Sequence, residues 1–299
     1  MKKKENEPEM YNEQSNRQNI VQEKRQVSTK RKIYRVIIVI TLIYCSIGIA
    51  LYHLQEKFLF HPATLPQNFQ FKFRVPFREV DIPMNKTDTV NMIQFLPADS
   101  ATKGVVLYFH GNSDNLIRYE KNAGIFTKKG YEVWIPDYPT YGKTTGELTE
   151  EKMYLQAKEV YRLAHSKFSS DSIFVYGKSL GTGVASYIAA KEKCAALILE
   201  TPFYSIPSLF STYAPIYPTS RMSHFKFPVG EYLEEVTEPV LIFSGTSDKV
   251  IPYRNAAKLK KVLKPADQFI TIENGSHNNL TNFPIFHEKM DSLFGAEKI

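Results

Sequence analysis

The feature that most constrains the fold of this 299-residue chain is a short apolar run that recurs six times after residue 103. Such runs, of which VVLYF, IFVY, ALIL and VLIF are examples, are typical of parallel strands that are covered on both faces. Helical patterns occupy 149–167, 182–193 and 254–263, between the later runs. The alternation of strand and helix predicts a parallel sheet with right-handed crossovers. The predicted strands of this set are 104–109, 132–135, 172–176, 196–199, 240–243 and 269–272.

Two further strand-like segments, 78–82 and 90–96, come before this set and have no helix between them, which predicts an antiparallel pair. The sequence therefore predicts an α/β fold with a mainly parallel sheet of eight strands and helices on both faces. One such domain often exceeds ~200 residues, so we expect a single domain over 78–299. An aromatic linker at 55–77 precedes it, and we expect this linker to pack on the domain rather than to touch lipid.

A second constraint is the apolar stretch from Val36 to Leu54, which contains no Asp, Glu, Lys or Arg. A helix of this length roughly matches a ~30 Å hydrocarbon core at ~1.5 Å per residue, so 33–54 is predicted to be a transmembrane helix. A cleaved signal peptide is one alternative, but the run is long for one and lacks a small-x-small cleavage pattern. A buried core helix is the other alternative.

The charges around this stretch predict its orientation. The six basic residues from Lys24 to Arg35 lie just before it, whereas Lys57 is the only basic residue in the fifteen positions after it. The positive-inside rule then places the N-terminus in the cytoplasm and 55–299 on the other side of the membrane. Residues 1–32 are polar and poor in large apolar side chains, so we expect them to form a disordered tail.

The net charge of +7 does not indicate a nucleic-acid-binding domain. Residues 1–35 hold ten Lys and Arg against five Asp and Glu, so most of the basic excess belongs to the tail. A basic face on the domain itself would be the expected footprint of a nucleic-acid partner. We therefore expect no such partner.

The run at 172–176 is followed at once by Gly177-Lys178-Ser179-Leu180-Gly181. The pattern G-x-S-x-G between a strand and a helix is typical of a nucleophile elbow. The turn is so tight that side chains at the two glycine positions would meet neighbouring backbone, and the serine is left exposed at the carboxyl edge of the sheet. The pattern alone also occurs in ordinary loops, but its placement here makes Ser179 the predicted nucleophile.

A serine hydroxyl needs a base to take its proton, normally a histidine that is oriented by a carboxylate. Asp248 lies in the loop SGTSDKVIP after the run at 240–243, and His277 lies in the loop ENGSHNN after the run at 269–272. Both loops leave the edge of the sheet at which Ser179 lies, and the chain order Ser, Asp, His is the expected one. We predict Asp248 as the acid and His277 as the base.

Other polar residues at this edge have competing interpretations. Glu200 follows the run at 196–199 and is the alternative acid, whereas Asp137 is expected to be structural. The loop after the run at 104–109 normally supplies one of two backbone donors to an oxyanion, and the residue after the nucleophile supplies the other. The predicted donors are the N–H groups of Asn112 and Leu180, and His110 is expected to brace the loop.

Six segments together give the sequence a recognisable signature. They are LYFHGNSDN at 107–115, GYEVWIPDYPTYGKTTG at 130–146, FVYGKSLGTGVA at 174–185, LETPF at 199–203, FSGTSDKVIP at 243–252 and NGSHNN at 274–279. In these segments the chain resembles the Bem46-like serine hydrolases of the α/β-hydrolase superfamily, over roughly 57–294. The resemblance implies the same five roles for Ser179, Asp248, His277, Asn112 and Leu180. One segment departs: relatives usually read DYRGYGxS where this chain reads DYPTYGKT.

The expected reaction needs no metal or cofactor, since no Cys/His cluster has metal-ligand spacing and no phosphate-binding glycine loop is visible. The aromatic stretch at about 203–233 is expected to form a short cap over the site. An apolar cap indicates an acyl ester or thioester substrate, lipid-like in nature, although the same aromatics can simply cover the edge of the sheet. Two other functions stay open: a peptidase or amidase on the same fold, and a catalytically silent binding module held at the membrane.

Overall fold

The computed structural model describes residues 7–98 and 102–295, without the side chains of 7–12 and Gln14. The described residues form two units that divide after Leu54. The first unit consists of the helix α1 (Glu7–Leu59) as far as Leu54. The last turn of this helix, from Gln55 onward, belongs to the second unit, which contains the sheet.

Helix α1 contains the one segment of the described chain that is long and apolar enough to cross a membrane. Ile40, Leu42 and Ile49 are each 61% exposed, so this segment is not a core helix of the described structure. The helix also covers residues 7–32, where the sequence predicted disorder, while 1–6 lie outside the described residues. Once an apolar segment is helical, each added residue gains a hydrogen bond without a new nucleation step, and Gln, Glu, Lys and Arg are good helix formers.

Every predicted strand is present in the second unit. Two-residue strands β1 (His61–Pro62) and β5 (Ser113–Asp114) pair with each other in parallel. The main sheet consists of β2 (Phe77–Pro83), β3 (Thr89–Phe95), β4 (Gly104–Phe109), β6 (Tyr131–Pro136), β7 (Ile173–Lys178), β8 (Ala196–Glu200), β9 (Val240–Gly245) and β10 (Gln268–Ile272).

The eight strands lie in the order β10-β9-β8-β7-β4-β6-β3-β2. The pairs β2–β3 and β3–β6 are antiparallel, and all the others are parallel, which confirms the predicted mainly parallel sheet. Because the six strands from β4 to β10 in the main sheet run in one direction, the loops after them meet at one edge. Those loops carry every residue that the sequence predicted for the site.

Helices cover both faces of this sheet. They are α2 (Glu120–Thr127), α3 (Glu150–His165), α4 (Gly181–Lys191), α5 (Ile206–Tyr213), α6 (Thr219–Met222), α7 (Val229–Glu235), α8 (Tyr253–Ala256) and α9 (Pro284–Gly295). Apolar side chains of α3, α4 and α7 pack on one face, and those of α2 and α9 pack on the other. Helices α5 and α6 and part of α7 occupy the predicted cap, and the predicted helix at 254–263 is α8 followed by a 3-10 turn.

The segment between α1 and β2 follows the surface of the second unit. Phe60 and Phe71 are buried, whereas Phe58 remains exposed. The ring of Phe71 stacks on that of Phe73 at 5.6 Å, and Phe73 packs against Phe95 of the sheet at 5.0 Å. Except for Phe58, these aromatic side chains of the segment therefore pack on the domain.

Candidate active site

Ser179 sits at the sharp turn between β7 and α4. Its φ of 51° lies in the left-handed region, which a side chain other than glycine adopts only under strain. A Cβ at Gly177 would lie 2.5 Å from the carbonyl of Gly181, and one at Gly181 would overlap the carbonyl of Phe109. The Ser179 N–H donates to the carbonyl of Glu200 at 2.9 Å, which fixes the turn to the neighbouring strand. Glycine is thus required on both sides of the serine.

His277 joins Ser179 to Asp248. Its Nε2 lies 2.9 Å from Ser179 Oγ, and its Nδ1 lies 2.8 Å from Asp248 Oδ2. A carboxylate only accepts hydrogen bonds, so Nδ1 carries the hydrogen and Nε2 is left as the basic nitrogen that faces the hydroxyl. The structure therefore brings together the three residues that were predicted from loops up to 98 positions apart.

Two backbone donors hold Asp248 in place. The N–H groups of Val250 and Ile251 each donate to Asp248 Oδ1 at 2.8 Å. The side chain of Asp248 is 1% exposed and that of His277 is 12% exposed. Because both donors bind Oδ1, this loop leaves Oδ2 oriented toward the histidine.

The loop after β4 passes next to the serine. A Cβ at Gly111 would lie 3.7 Å from the Cβ of Ser179 and 2.9 Å from the hydroxyl of Tyr119. Within the part of the chain that the structure describes, the backbone N–H groups of Asn112 and Leu180 donate no hydrogen bond. Leu180 also precedes the first turn of α4, where the helix dipole favours negative charge. Two donors without acceptors beside a serine are what a developing oxyanion requires.

A second Asp–His pair lies behind this loop. His110 and Asp137 are both fully buried, and His110 Nε2 lies 3.1 Å from Asp137 Oδ1. The other ring nitrogen, Nδ1, donates to the carbonyl of Gly111 at 2.7 Å. Burial raises the pKa of Asp137, against the lowering effect of His110. Because no ring nitrogen of His110 faces a hydroxyl, the pair braces the loop, which is the structural part predicted for it.

Glu200, the alternative acid, points into a different cluster. Its carboxylate accepts hydrogen bonds from Lys178 Nζ and from the hydroxyl of Tyr176, and it is fully buried. Burial and the charge of Glu200 raise the pKa of Tyr176 well above the ordinary value. No hydrogen bond links Glu200 to His277 within the described chain, so the geometry favours Asp248 as the partner of the histidine.

The cap contributes an apolar patch beside the loop of Asp248. The hydroxyl of Tyr213, at the end of α5, donates to the carbonyls of Lys249 and Val250 at 2.9 Å each. The side chains of Tyr213 and Val250, which lie next to each other because of this hydrogen bond, are 57% and 52% exposed. Large apolar side chains that remain exposed together often mark a binding surface.

Sequence reasoning missed several residues that support the site. Lys178 and Tyr176 bind Glu200 through buried contacts, and Gln55 binds the backbone of the cap at Met222 and His224. The register of β7 and β8, which pairs Lys178 with Glu200, could have suggested the first cluster. Nothing in the sequence pointed to the contacts of Gln55, because its partners lie 167 and 169 positions away.

Comparisons with known proteins agree with this fold. The family model for serine aminopeptidases, Hydrolase_4, matches residues 100–227, which include Ser179 but neither Asp248 nor His277. Protein bem46 of Schizosaccharomyces pombe is 29% identical over 213 residues, which cover 66% of this chain and 71% of the yeast protein. Alpha/beta hydrolase domain-containing protein 17C of Xenopus tropicalis is 25% identical over 208 residues. That match covers 68% of this chain and 65% of the frog protein, so about a third of the frog protein lies outside it.

Solved structures show the same fold at lower sequence identity. An esterase of Pyrococcus furiosus aligns with a TM-score of 0.63 and 16% identity, over 79% of this chain and 97% of the esterase. Acetyl xylan esterase 1 of Thermoanaerobacterium aligns with a TM-score of 0.56 and 13% identity, over 75% and 89% of the two chains. At these identities the likeness establishes the architecture rather than a substrate.

Proposed function

The chain is a Bem46-like α/β hydrolase, and from this premise we propose that it is a serine hydrolase that cleaves a carboxylic ester or thioester. Ser179 is the proposed nucleophile, His277 the base and Asp248 the acid. The observation that carries the proposal is the continuous chain of hydrogen bonds from Asp248 through His277 to Ser179 Oγ, at 2.8 and 2.9 Å.

The first step forms an acyl-enzyme. Ser179 Oγ attacks the substrate carbonyl carbon while its proton moves to His277 Nε2, and the carbonyl oxygen takes up negative charge. The backbone N–H groups of Asn112 and Leu180 donate to this oxyanion, a contribution typically worth ~10²–10³ in kcat for one donor. Collapse of the intermediate breaks the bond to the alcohol or thiol, which leaves with the proton from His277.

The second step releases the acid by the same route. Water gives a proton to His277 Nε2 and attacks the acyl carbon, and Ser179 then leaves with that proton restored to its oxygen. Asp248 keeps Nδ1 protonated throughout, so that Nε2 is always the nitrogen that exchanges the proton. No metal or cofactor has a step in this cycle.

The exposed apolar patch of the cap supports an apolar acyl group. Val250 lies in the loop that holds Asp248, and Tyr213 contacts that loop. An acyl chain that extends from Ser179 in this direction would therefore bury both side chains. Burial of apolar area contributes roughly 25 cal/mol per Å², which favours longer acyl chains over acetyl. The substrate is therefore proposed to be a small acyl ester or thioester with a lipid-like chain.

A fluorophosphonate probe tests the proposal directly. The reagent should attach to Ser179 Oγ with loss of fluoride, because it requires an activated serine and an oxyanion hole. Ser179→Ala should abolish labelling and hydrolysis, whereas Ser186→Ala, a buried serine of α4, should retain both. A folded wild-type protein that never labels would instead indicate the catalytically silent binding module.

We also propose that residues 33–54 anchor the enzyme in a membrane with 55–299 on the non-cytoplasmic side. The support is the length and apolar character of this part of α1 together with the six basic residues before it and one after it. Protease added to sealed right-side-out vesicles should digest the catalytic domain and leave the N-terminal tail intact. A domain that stays protected until the vesicles are opened would reverse the orientation.

Amide hydrolysis is a second candidate, because the matching family model is that of serine aminopeptidases. A Ser-His-Asp triad itself serves both reactions. Matched p-nitrophenyl esters, thioesters and amino-acid anilides with the same acyl group separate the two. A higher kcat/KM for the anilide would assign the chain to the peptidases.

A further inference from the structure

The segment from Gln55 to Leu65, called the strap below, contacts three parts of the site at once. It begins as the last turn of α1, continues through β1, and crosses the ends of the loops after β4 and β6. Gly142 N–H donates to the carbonyl of Ala63 at 3.0 Å, and Leu65 N–H donates to the carbonyl of Gly142 at 2.7 Å. The strap is therefore bonded to the loops after β4 and β6, which leave the same edge of the sheet as Ser179.

Asn112 is the residue on which the strap acts most directly. Its Nδ2 donates to the carbonyl of Leu59 at 3.0 Å and lies 3.3 Å from His61 Nδ1, and its own carbonyl accepts from the His61 N–H at 2.9 Å. The hydroxyl of Tyr141 donates to the same carbonyl at 2.7 Å, and Ser113 Oγ donates to Asn112 Oδ1 at 3.2 Å. Strap atoms thus hold both the side chain and the carbonyl of this residue.

The backbone N–H of Asn112 is the proposed oxyanion donor. It shares a peptide group with the carbonyl of Gly111, to which His110 Nδ1 donates, while the strap holds the side chain and the carbonyl of Asn112. The preceding residue is Gly111, which has little conformational preference of its own. A displacement of about 1 Å in a catalytic group can cost roughly 10²-fold in rate. The bond between the Asn112 side chain and the strap can therefore affect kcat without contact between that side chain and the substrate.

The same strap holds the cap. Gln55, which is 3% exposed, donates from Nε2 to the carbonyl of Met222 at 3.1 Å, and its Oε1 accepts from the His224 N–H at 2.7 Å. The ring of Phe60 packs against Phe225 at 4.7 Å. The cap and the loop after β4 are consequently joined through the eleven consecutive residues of the strap.

We propose that the strap is a positioning element of the active site, in which the Asn112 amide and the Leu59 carbonyl align the oxyanion donor and Gln55 sets the cap. This inference rests on the proposed function, since it assigns Asn112 to the oxyanion hole. The strap also follows the apolar helix directly in the chain. The strap would therefore be the first part of the chain outside the membrane, and it would also orient the loop after β4.

Three full-length variants test the proposal by the same amide-to-carboxylate change. Asn112→Asp removes the donor to Leu59 and should lower kcat and the rate of fluorophosphonate labelling by about 10–100-fold with KM nearly unchanged. Gln55→Glu removes the donor to Met222 and should raise KM for a long-chain ester about threefold or more. Gln67→Glu is the matched control: Gln67 donates to the carbonyl of Lys143 at 2.8 Å, beyond the strap, and should keep both constants within about twofold.

The outcomes separate this inference from the proposed function. If wild-type protein labels at Ser179 and Asn112→Asp labels and turns over equally fast, the strap has no positioning role. Equal slowing of Asn112→Asp and Gln67→Glu, in step with their melting temperatures, would also overturn it, because a purely structural role affects both alike. Asn112→Ser, which removes the amide without adding charge, replaces Asn112→Asp if that variant does not fold. Absence of wild-type labelling would overturn the proposed function itself.

Discussion

Two Asp–His pairs are present among the described residues, and in only one of them does a ring nitrogen face a hydroxyl. In both, a ring nitrogen lies about 3 Å from a buried carboxylate. The second nitrogen makes the difference: in His277 it faces the hydroxyl of Ser179, whereas in His110 it donates to the carbonyl of Gly111. A carbonyl has no proton to give, so His110 cannot serve as a base.

The carboxylates differ as well. Asp248 Oδ1 accepts from two backbone N–H groups and its Oδ2 faces His277. Asp137 Oδ1 accepts from Leu116 N–H, and its Oδ2 has no partner among the described residues. Burial raises the pKa of Asp137, whose carboxyl lies beside the equally buried ring of His110. The two pairs thus share the Asp–His contact and differ in the groups that face the second ring nitrogen and the second carboxylate oxygen. We expect these outer groups to decide whether such a pair can take part in catalysis.

The strongest test of this difference removes the base. His277→Ala should lower kcat by about 10⁶-fold, because triad members act as a unit and the loss of one abolishes nearly all their joint effect. Hydrolysis of a p-nitrophenyl ester measures the change. His287→Ala is the control, since His287 is exposed and bonds only to the carbonyl of Thr281 in the described chain. A variant at His277 that retained more than about one hundredth of the rate would show that another base operates.

The next test concerns the two acids that the sequence left in competition. Asp248→Asn should lower kcat by roughly 10²–10⁴-fold, because an amide cannot hold the required tautomer or stabilise the imidazolium. Glu200→Gln should affect kcat much less, because its carboxylate contacts Lys178 and Tyr176 rather than His277. The kcat of the two variants on one ester decides the matter. The opposite ranking would move the acid to Glu200.

The sequence could predict these residues because the fold places them by a simple rule. Continuous apolar runs predict buried strands, and the loops after parallel strands meet at one edge. Ser179, Asp248 and His277 each follow such a run, so their meeting required no knowledge of side-chain packing. The same rule predicted the antiparallel start of the sheet at β2 and β3.

Other features could not be predicted, for physical reasons. The contact between Gln55 and the cap joins segments that no periodicity relates, and it depends on where an irregular strap crosses the domain. The contacts of Glu200 with Lys178 and Tyr176 depend on side-chain direction, so the sequence could prefer Asp248 as the acid without showing where Glu200 points. The helical state of 7–32 reflects propagation from the neighbouring apolar helix, whereas composition alone indicated disorder.

A third test examines the buried cluster beneath the nucleophile. Lys178 is 8% exposed and pairs with the fully buried carboxylate of Glu200. Lys178→Met leaves that charge without its partner and should lower the free energy of unfolding by about 3–5 kcal/mol. Denaturant unfolding of the full-length protein in detergent measures the loss. The double variant Lys178→Met/Glu200→Gln should recover part of it, since no buried charge remains; a double variant less stable than the single one would contradict this account.

The smallest expected effect returns to the pair that only braces a loop. Asp137 Oδ1 contacts both Leu116 N–H and His110 Nε2. In Asp137→Asn the amide oxygen at this place still accepts from Leu116 N–H, but it has no proton to offer to His110 Nε2, and the ring of His110 already donates from Nδ1. One buried hydrogen bond is therefore lost. That loss should cost about 1–3 kcal/mol in the free energy of unfolding. The rate constant kcat should fall less than about tenfold, because the loop keeps its other contacts and the triad is untouched.

The same chemical change at Asp248 should do the reverse, with a large loss of rate and a small loss of stability. Measuring kcat and unfolding for both variants gives a crossed comparison: if Asp137→Asn lost rate as heavily as Asp248→Asn while its stability held, the second pair would belong to the catalytic machinery after all.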